Sequence, residues 1–386
     1  MMVEQDPAEA GFDPARLARI DSWLQKLIAD RQIPGAVVML VRDGRVAYHK
    51  AYGVRDIATG APMRENDIFR IASQTKAITS LAVMMLWEEG RFQLDDPIGR
   101  YLPAFRTQTV LTKFNAADSS YESRPTQRRI TIRQLLTHTS GLDYADIGSN
   151  EFKAIYAKAG VTALGRDGDV LGDKIDVLGK LPLKHEPGER FTYGLSLDVL
   201  GRLVEVLSGM PLDQYFRTRI FEPLGMRDTY FGVPAAKKDR LVALHTIRDG
   251  KLVSAADSLS RPVTYFSGGG GLSSTTADYA RFLQLFLNGG ELEGKRLLAR
   301  KTVEMMLTNQ IGALQPPFGL GFQIETPEDD YKSPSSIGTF SWGGAFNTSY
   351  WADPKERLVA QVYTSTYGAP VNLAAPFKVL VYSALK

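Results

Sequence analysis

The apolar pattern of this sequence predicts an α+β chain. An antiparallel sheet built from both termini is flanked by helices, and a mainly helical part lies between. Three observations predict it. Hairpin signatures stand near opposite ends of the 386 residues, an amphipathic or apolar helix accompanies each, and the middle carries helical periodicity. Pattern alone does not put the two hairpins into one sheet. It makes that arrangement plausible, with one helix from each end covering a face. The division predicted is 1–75 and 290–386, with parts of the middle, for the sheet, and 76–289 for the helical part with its long loops.

The elements follow in order. Asp13-Pro14 supplies a helix cap and an N1 proline, and Leu17, Ile20, Leu24, Leu27 and Ile28 recur at helical spacing. That helix ends before Pro34-Gly35. Two β-rich runs across 36–54 are joined by Asp43-Gly44, a strong signal for a two-residue hairpin. Helices are predicted over 74–89, 133–136, 198–207, 212–220 and 276–287, the last opened by a capping box from Thr275 to Asp278. The polar stretches 105–129 and 141–181 read as long irregular excursions. Phe318-Gly319-Leu320-Gly321-Phe322 reads as a strand. A second hairpin spans 348–364 around Asp353-Pro354-Lys355, and a helix over 374–385 closes the chain.

Composition removes several classes of function. Hydrophobic residues at 44% and charged residues at 23% exclude a disordered or collagen-like chain. Lys and Arg number 46 against 43 Asp and Glu, and no basic block accompanies the small excess, so neither nucleic acid nor an anionic membrane is indicated as a partner. The absence of cysteine removes disulfides, zinc–thiolate sites, iron–sulfur clusters and thiol nucleophiles. His49, His138, His185 and His245 lie too far apart for a helix-borne metal pair. The acidic segment Met1–Pro14 has no basic or apolar signal region, and the most apolar run, 77–87, is too short to span a bilayer. A cytoplasmic, metal-free protein is expected.

The chemistry centres on Ser73-Gln74-Thr75-Lys76. Ser and Lys three apart share one helix face. If Ser73 opens the helix, its hydroxyl sits over the positive end of the dipole, and the same dipole lowers the pKa of Lys76 towards that of a usable base. Those are the requirements of an activated serine. The pattern alone is weak, since it occurs again at Ser383–Lys386 on the last turn. Context strengthens it: Ser73 follows the apolar run 68–72 and precedes a helix apolar nearly all round, stopped by Gly90.

Further motifs stand in order behind it: Leu135-Leu136-Thr137-His138-Thr139-Ser140-Gly141-Leu142, Pro187-Gly188-Glu189-Arg190-Phe191-Thr192-Tyr193, Phe221-Glu222-Pro223-Leu224-Gly225-Met226, Gly268–Leu272 and Ser341-Trp342-Gly343-Gly344-Ala345. In this order and spacing the chain resembles the serine β-lactamase and penicillin-binding-protein superfamily over roughly 36–366. The closest resemblance is to the family VIII carboxylesterases, esterases built like class C β-lactamases. The resemblance implies a β-lactamase-like fold forming one two-part catalytic unit. It makes Ser73 the acyl-accepting nucleophile, Lys76 the neighbouring base and Tyr193 the tyrosine of the second motif. The N–H groups of Ser73 and Ala345 become the oxyanion hole. His138 and Ser140 belong to a scaffold turn, and no cofactor is required.

Two departures from the β-lactam-binding pattern shape the expectation. Gly194-Leu195 follows Tyr193 where that pattern ends in Asn, and Trp342-Gly343-Gly344 stands where it reads Lys-Thr-Gly. An indole in place of a cation shifts the substrate from carboxylate-bearing peptides and β-lactams to neutral esters. The function expected is hydrolysis of short-chain carboxylic esters, small-molecule substrates, with at most weak β-lactamase side activity. The rivals on the same fold are a β-lactamase or D-amino-acid peptidase and an acyltransferase; a silent binding protein is the rival from another class. No G-x-S-x-G elbow and no P-loop occur.

Overall fold

Asp13 caps the first helix, α1 (Pro14–Ala29): its carboxylate accepts from the N–H groups of Ala15 and Arg16, and Leu17, Ile20, Leu24 and Leu27 are buried beneath it. The structure, a computed structural model, describes residues 3–255 and 263–386. Met1 and Met2 of the acidic segment lie outside them, as do 256–262 within the span predicted to be mainly helical. Strands β1 (Gly35–Arg42) and β2 (Arg45–Asp56) form the first hairpin. Asp43 and Gly44 take positive φ, 52° and 76°, as a turn matched to strand twist requires. After a short β3 (Ala61–Pro62) the chain passes through α2 (Thr75–Glu88), α3 (Ser196–Ser208) and α4 (Thr276–Leu287). It returns by β4 (Gln323–Ile324), β5 (Phe340–Gly344), β6 (Thr348–Asp353) and β7 (Leu358–Tyr363), and ends in α5 (Ala374–Ser383).

The two hairpins share one sheet. Seven strands run in the order β4-β5-β6-β7-β1-β2-β3, and β1 lies antiparallel to β7 with Val38 opposite Val362. Both of these strands are apolar on both faces because both faces are covered. Val38, Leu40, Ala360 and Val362 pack beneath α1 and α5, while Val37, Met39, Val359 and Tyr363 join the larger core that contains α2 and α4. Helix α2 is buried from Thr75 to Leu86 and packs against α3. It is the central strut of the molecule. Among the described residues no helix is long and apolar enough to cross a membrane.

Several local expectations are corrected. The stretch 105–129 holds an antiparallel hairpin, Thr109–Asn115 with Ser120–Pro125, whose second strand is exposed throughout. A strand wet on both faces has no apolar alternation to detect. The stretch 141–181 carries helices Asn150–Lys158 and Leu171–Leu178, too short for a clear helical period. Phe318–Phe322 is a turn, closed by the Gly319 N–H on the Phe322 carbonyl, with Gly321 at φ 102°. Only half of the capping box at α4 forms. Thr275 accepts from the Asp278 N–H at 3.1 Å, but the Asp278 carboxylate serves Thr229 and the Asp228 N–H instead.

Candidate active site

Ser73 does not itself open an α-helix. It is the middle residue of a 3-10 turn, Ala72–Gln74, that leads into α2. Phe69 and Arg70 pair with Ser274 and Ser273, and the Ile71 N–H bonds to the Leu272 carbonyl at 3.0 Å. Ala72 then takes φ 44°, a conformation that costs a non-glycine residue about 1–3 kcal/mol and persists only where the surroundings enforce it. The enforcement is visible. The Tyr279 hydroxyl donates to the Gln74 carbonyl at 2.9 Å and the Tyr363 hydroxyl to Gln74 Oε1 at 2.5 Å. From Ile71 to Leu86, Ser73 is the one residue that is not buried.

Lys76, one turn on, is buried and spends its three N–H bonds locally. It donates to the Gly269 carbonyl at 2.6 Å, to Ser73 Oγ at 3.2 Å and to the Tyr144 hydroxyl at 3.3 Å. Its pKa is the opposite of the one expected from the helix dipole. Burial does pull the ammonium down, but Tyr144, Tyr193 and Asp198 outweigh it and hold the group above the ordinary lysine value.

Tyr193 reaches this pair from the loop before α3. The Thr192 N–H bonds to the His138 carbonyl at 2.7 Å, and Gly194 lies so close to Leu142 that a Cβ there would stand 2.2 Å from its carbonyl oxygen. The Lys76 ammonium sits 4.6 Å above the Tyr193 ring. The phenol oxygen is buried and has no hydrogen-bond partner among the described residues.

Tyr144 is the residue that sequence reasoning missed. It follows the Thr139-Ser140-Gly141 turn, whose motif drew attention to the turn and away from the position after it. Asp143, paired with Lys184 at 2.8 Å, accepts from the Tyr144 N–H at 2.9 Å and fixes its backbone. The ring stacks on Tyr193 with centroids 5.4 Å apart, and burial raises the phenol to about 12. No sequence spacing relates Tyr144 to Lys76; only the fold joins them.

On the other side stands β5. Trp342, half buried, packs against Tyr193 and Phe318, each with centroids 5.4 Å away. Gly343 and Gly344 pair with Ser349 and Thr348, and a Cβ on Gly344 would lie 2.5 Å from the Ile71 carbonyl oxygen. Glycine there lets the strand end abut the turn that carries Ser73. Ala345, the first residue past the strand, is exposed. A cavity of about 580 Å³ is lined by Leu272 and Phe346 together with Phe231, Val263 and Tyr265, and by none of Ser73, Lys76, Tyr193 and Trp342.

His138 and Ser140 lie in the interior. His138 is buried among Phe191, Tyr193 and Phe318, and burial, then Lys76, hold its pKa well below the usual range. Ser140 bonds Ser196 at 2.9 Å, out of solvent. Among the described residues no group of three or more His, Asp or Glu could hold a metal.

Comparison with known proteins bears on the family and the fold. The family model described as Beta-lactamase matches residues 20–382. Esterase EstB of Burkholderia gladioli is 32% identical, over 98% of each chain. An uncharacterized protein of Mycobacterium tuberculosis is 35% identical over 85% of this chain and 84% of its own. Among solved structures, EstCE1, described as a hydrolase with promiscuous acyltransferase activity, superposes with a TM-score of 0.81 at 26% identity, covering 95% of this chain and 98% of its own.

Proposed function

The chain belongs to the β-lactamase family, and on that basis we propose that it is a serine carboxylesterase hydrolysing short-chain carboxylic esters through an acyl-enzyme. Ser73, Lys76 and Tyr193 form the catalytic set. The observation that carries this reading is the accessible Ser73 hydroxyl 3.2 Å from the buried Lys76 ammonium.

Ser73 Oγ attacks the ester carbonyl, and its proton passes to the Lys76–Tyr193 pair. Because Lys76 rests as an ammonium, one proton must leave the pair first. A neutral amine beside a phenol and an ammonium beside a phenolate contain the same number of protons, so either form serves as base. The oxyanion that develops is held by the N–H groups of Ser73 and Ala345. The proton then returns through Tyr193 to the leaving alkoxide, the C–O bond breaks and the alcohol departs. Water enters, gives its proton to the same pair and attacks the acyl-enzyme; the pair passes that proton to Ser73 Oγ as the acyl–oxygen bond breaks, releasing the acid and restoring Ser73.

Trp342 selects for neutral esters, since the indole contributes apolar contact and no charge beside the reacting carbonyl. EstB and EstCE1, an esterase and a hydrolase by name, support the reading. A second reading, acyl transfer to another alcohol, is favoured by the transferase activity ascribed to EstCE1. A p-nitrophenyl ester chain-length series run beside nitrocefin tests the proposal, with short esters turned over fastest. Nitrocefin ahead of every ester would sink it, as would the absence of any fluorophosphonate adduct.

A further inference from the structure

Behind Lys76 lies a buried acid that the reaction as described does not use. Asp198, on the first turn of α3, is 1% exposed. Its Oδ1 accepts from the Ser267 hydroxyl at 2.6 Å and from the Gly269 N–H at 3.2 Å. Its Oδ2 is buried with no hydrogen-bond partner among the described residues, although a carboxylate seeks several. The backbone of Gly269 lies directly on it, for a Cβ there would be 2.3 Å from Oδ2. The carbonyl of the same Gly269 accepts the shortest of the Lys76 bonds, 2.6 Å. The neighbouring Gly268 carbonyl accepts from Thr79 of α2, also at 2.6 Å. One glycine therefore has the acid on its N–H side and the ammonium on its carbonyl side.

We propose that Asp198 is a positioning residue, which fixes the Gly268–Gly269 backbone that holds Lys76 and acts as the buried counter-charge of its ammonium. The inference rests on Lys76 working with Ser73 as described above. An ammonium buried among aromatic rings needs a compensating charge, and of the groups that act on Lys76 only Asp198 is a carboxylate. The other ionisable groups facing the pair are Tyr144, Tyr193, Tyr265 and His138. Burial keeps Tyr144 and Tyr265 protonated and His138 uncharged; it also raises Asp198 above the usual carboxylate value, while the Ser267 hydroxyl, the Lys76 charge and the Gly269 N–H favour its ionised form. An unpartnered Oδ2 is the cost of placing a negative charge there without a direct ion pair, which would draw Lys76 away from Ser73. The glycine at 269 is what permits that separation.

The test is the pH dependence of Ser73 modification by a fluorophosphonate, which needs a reactive serine and no ester turnover. In the wild-type protein the rate should climb with pH towards the alkaline edge of stability, as Lys76 loses its proton. In Asp198→Asn, nearly isosteric and uncharged, the climb should level off at least about one pH unit lower. Asp198→Ser removes the charge with a smaller side chain and should shift the profile in the same direction. Ester turnover should show the same displaced profile with KM nearly unchanged. A profile of wild-type shape in folded variants, merely scaled down at every pH, would reduce Asp198 to a packing residue and overturn the assignment. Failure of both variants to fold would overturn it too. No labelling of wild type at all would instead sink the serine-hydrolase reading, so the two failures are distinguishable.

Discussion

Gly344 meets the carbonyl of Ile71 so closely that a Cβ on the glycine would stand 2.5 Å from the oxygen. This contact sets the end of β5 against the nucleophile turn, and with it the separation of the Ser73 and Ala345 N–H groups. Gly344→Ala must push the two apart. Since an oxyanion donor displaced from its position costs on the order of 10²-fold in kcat, ester turnover should fall by about that factor. Steady-state kinetics and a melting curve on the same preparation check it; unchanged kcat in a folded variant would remove Ala345 from the oxyanion hole.

Ser73→Ala should abolish ester turnover, and Ser140→Ala and Ser383→Ala should leave it nearly intact. Ser140 is sealed against Ser196, and the Ser383 hydroxyl returns to the carbonyl of Leu380 at 3.0 Å. Intact-mass spectra after inhibitor treatment should place one adduct on Ser73. An adduct on Ser140 would defeat the assignment.

The two tyrosines should separate activity from stability. The Tyr193 hydroxyl is buried and meets no hydrogen-bond criterion among the described residues, so Tyr193→Phe should leave the melting temperature nearly unchanged while lowering kcat about 10²-fold or more, with KM changed far less. Tyr144→Phe deletes an acceptor of Lys76 and should lower both stability and kcat. Equal kcat in Tyr193→Phe and wild type would return Tyr193 to a packing role.

Trp342→Lys should raise the ratio of kcat/KM for nitrocefin to that for p-nitrophenyl butyrate, because a cation then faces the β-lactam carboxylate. Added salt should erode the gain. Absolute rates should fall, since the indole packs on Tyr193 and Phe318. A ratio that is unmoved or lower would mean that position 342 does not select charge.

Asp278 gives a pH signature in stability. Burial raises its carboxyl to about 6, against the pull of the Asp228 N–H and the Thr229 hydroxyl. A carboxyl whose folded pKa exceeds its unfolded value of 3.8 favours the fold at low pH, and that contribution is lost as pH rises through about 6. Asp278→Asn should therefore gain on wild type between pH 4 and pH 7, by up to about 3 kcal/mol. Paired melting curves across that range read it; a constant difference would place the Asp278 pKa in the ordinary range.

The elements legible in the sequence are those whose apolar period is imposed by burial. The hairpins around Asp43-Gly44 and Asp353-Pro354, the terminal helices, and α2 with Ser73 and Lys76 near its start could all be read, because each is covered by other parts of the chain and turn chemistry marks its ends. The hairpin within 105–129 could not, because its second strand has water on both faces, which erases the alternation. At the site, the linear motifs brought out Ser73, Lys76, Tyr193 and Trp342, since each is embedded in a local pattern. What only tertiary structure decided is electrostatic and long-range. Tyr144 meets Lys76 across 68 residues, and Gly269 meets it across 193. The direction of the Lys76 pKa was misjudged for the same reason. A helix dipole is a local property that spacing reveals, whereas the charges and phenols that outweigh it arrive from segments whose approach no periodicity encodes.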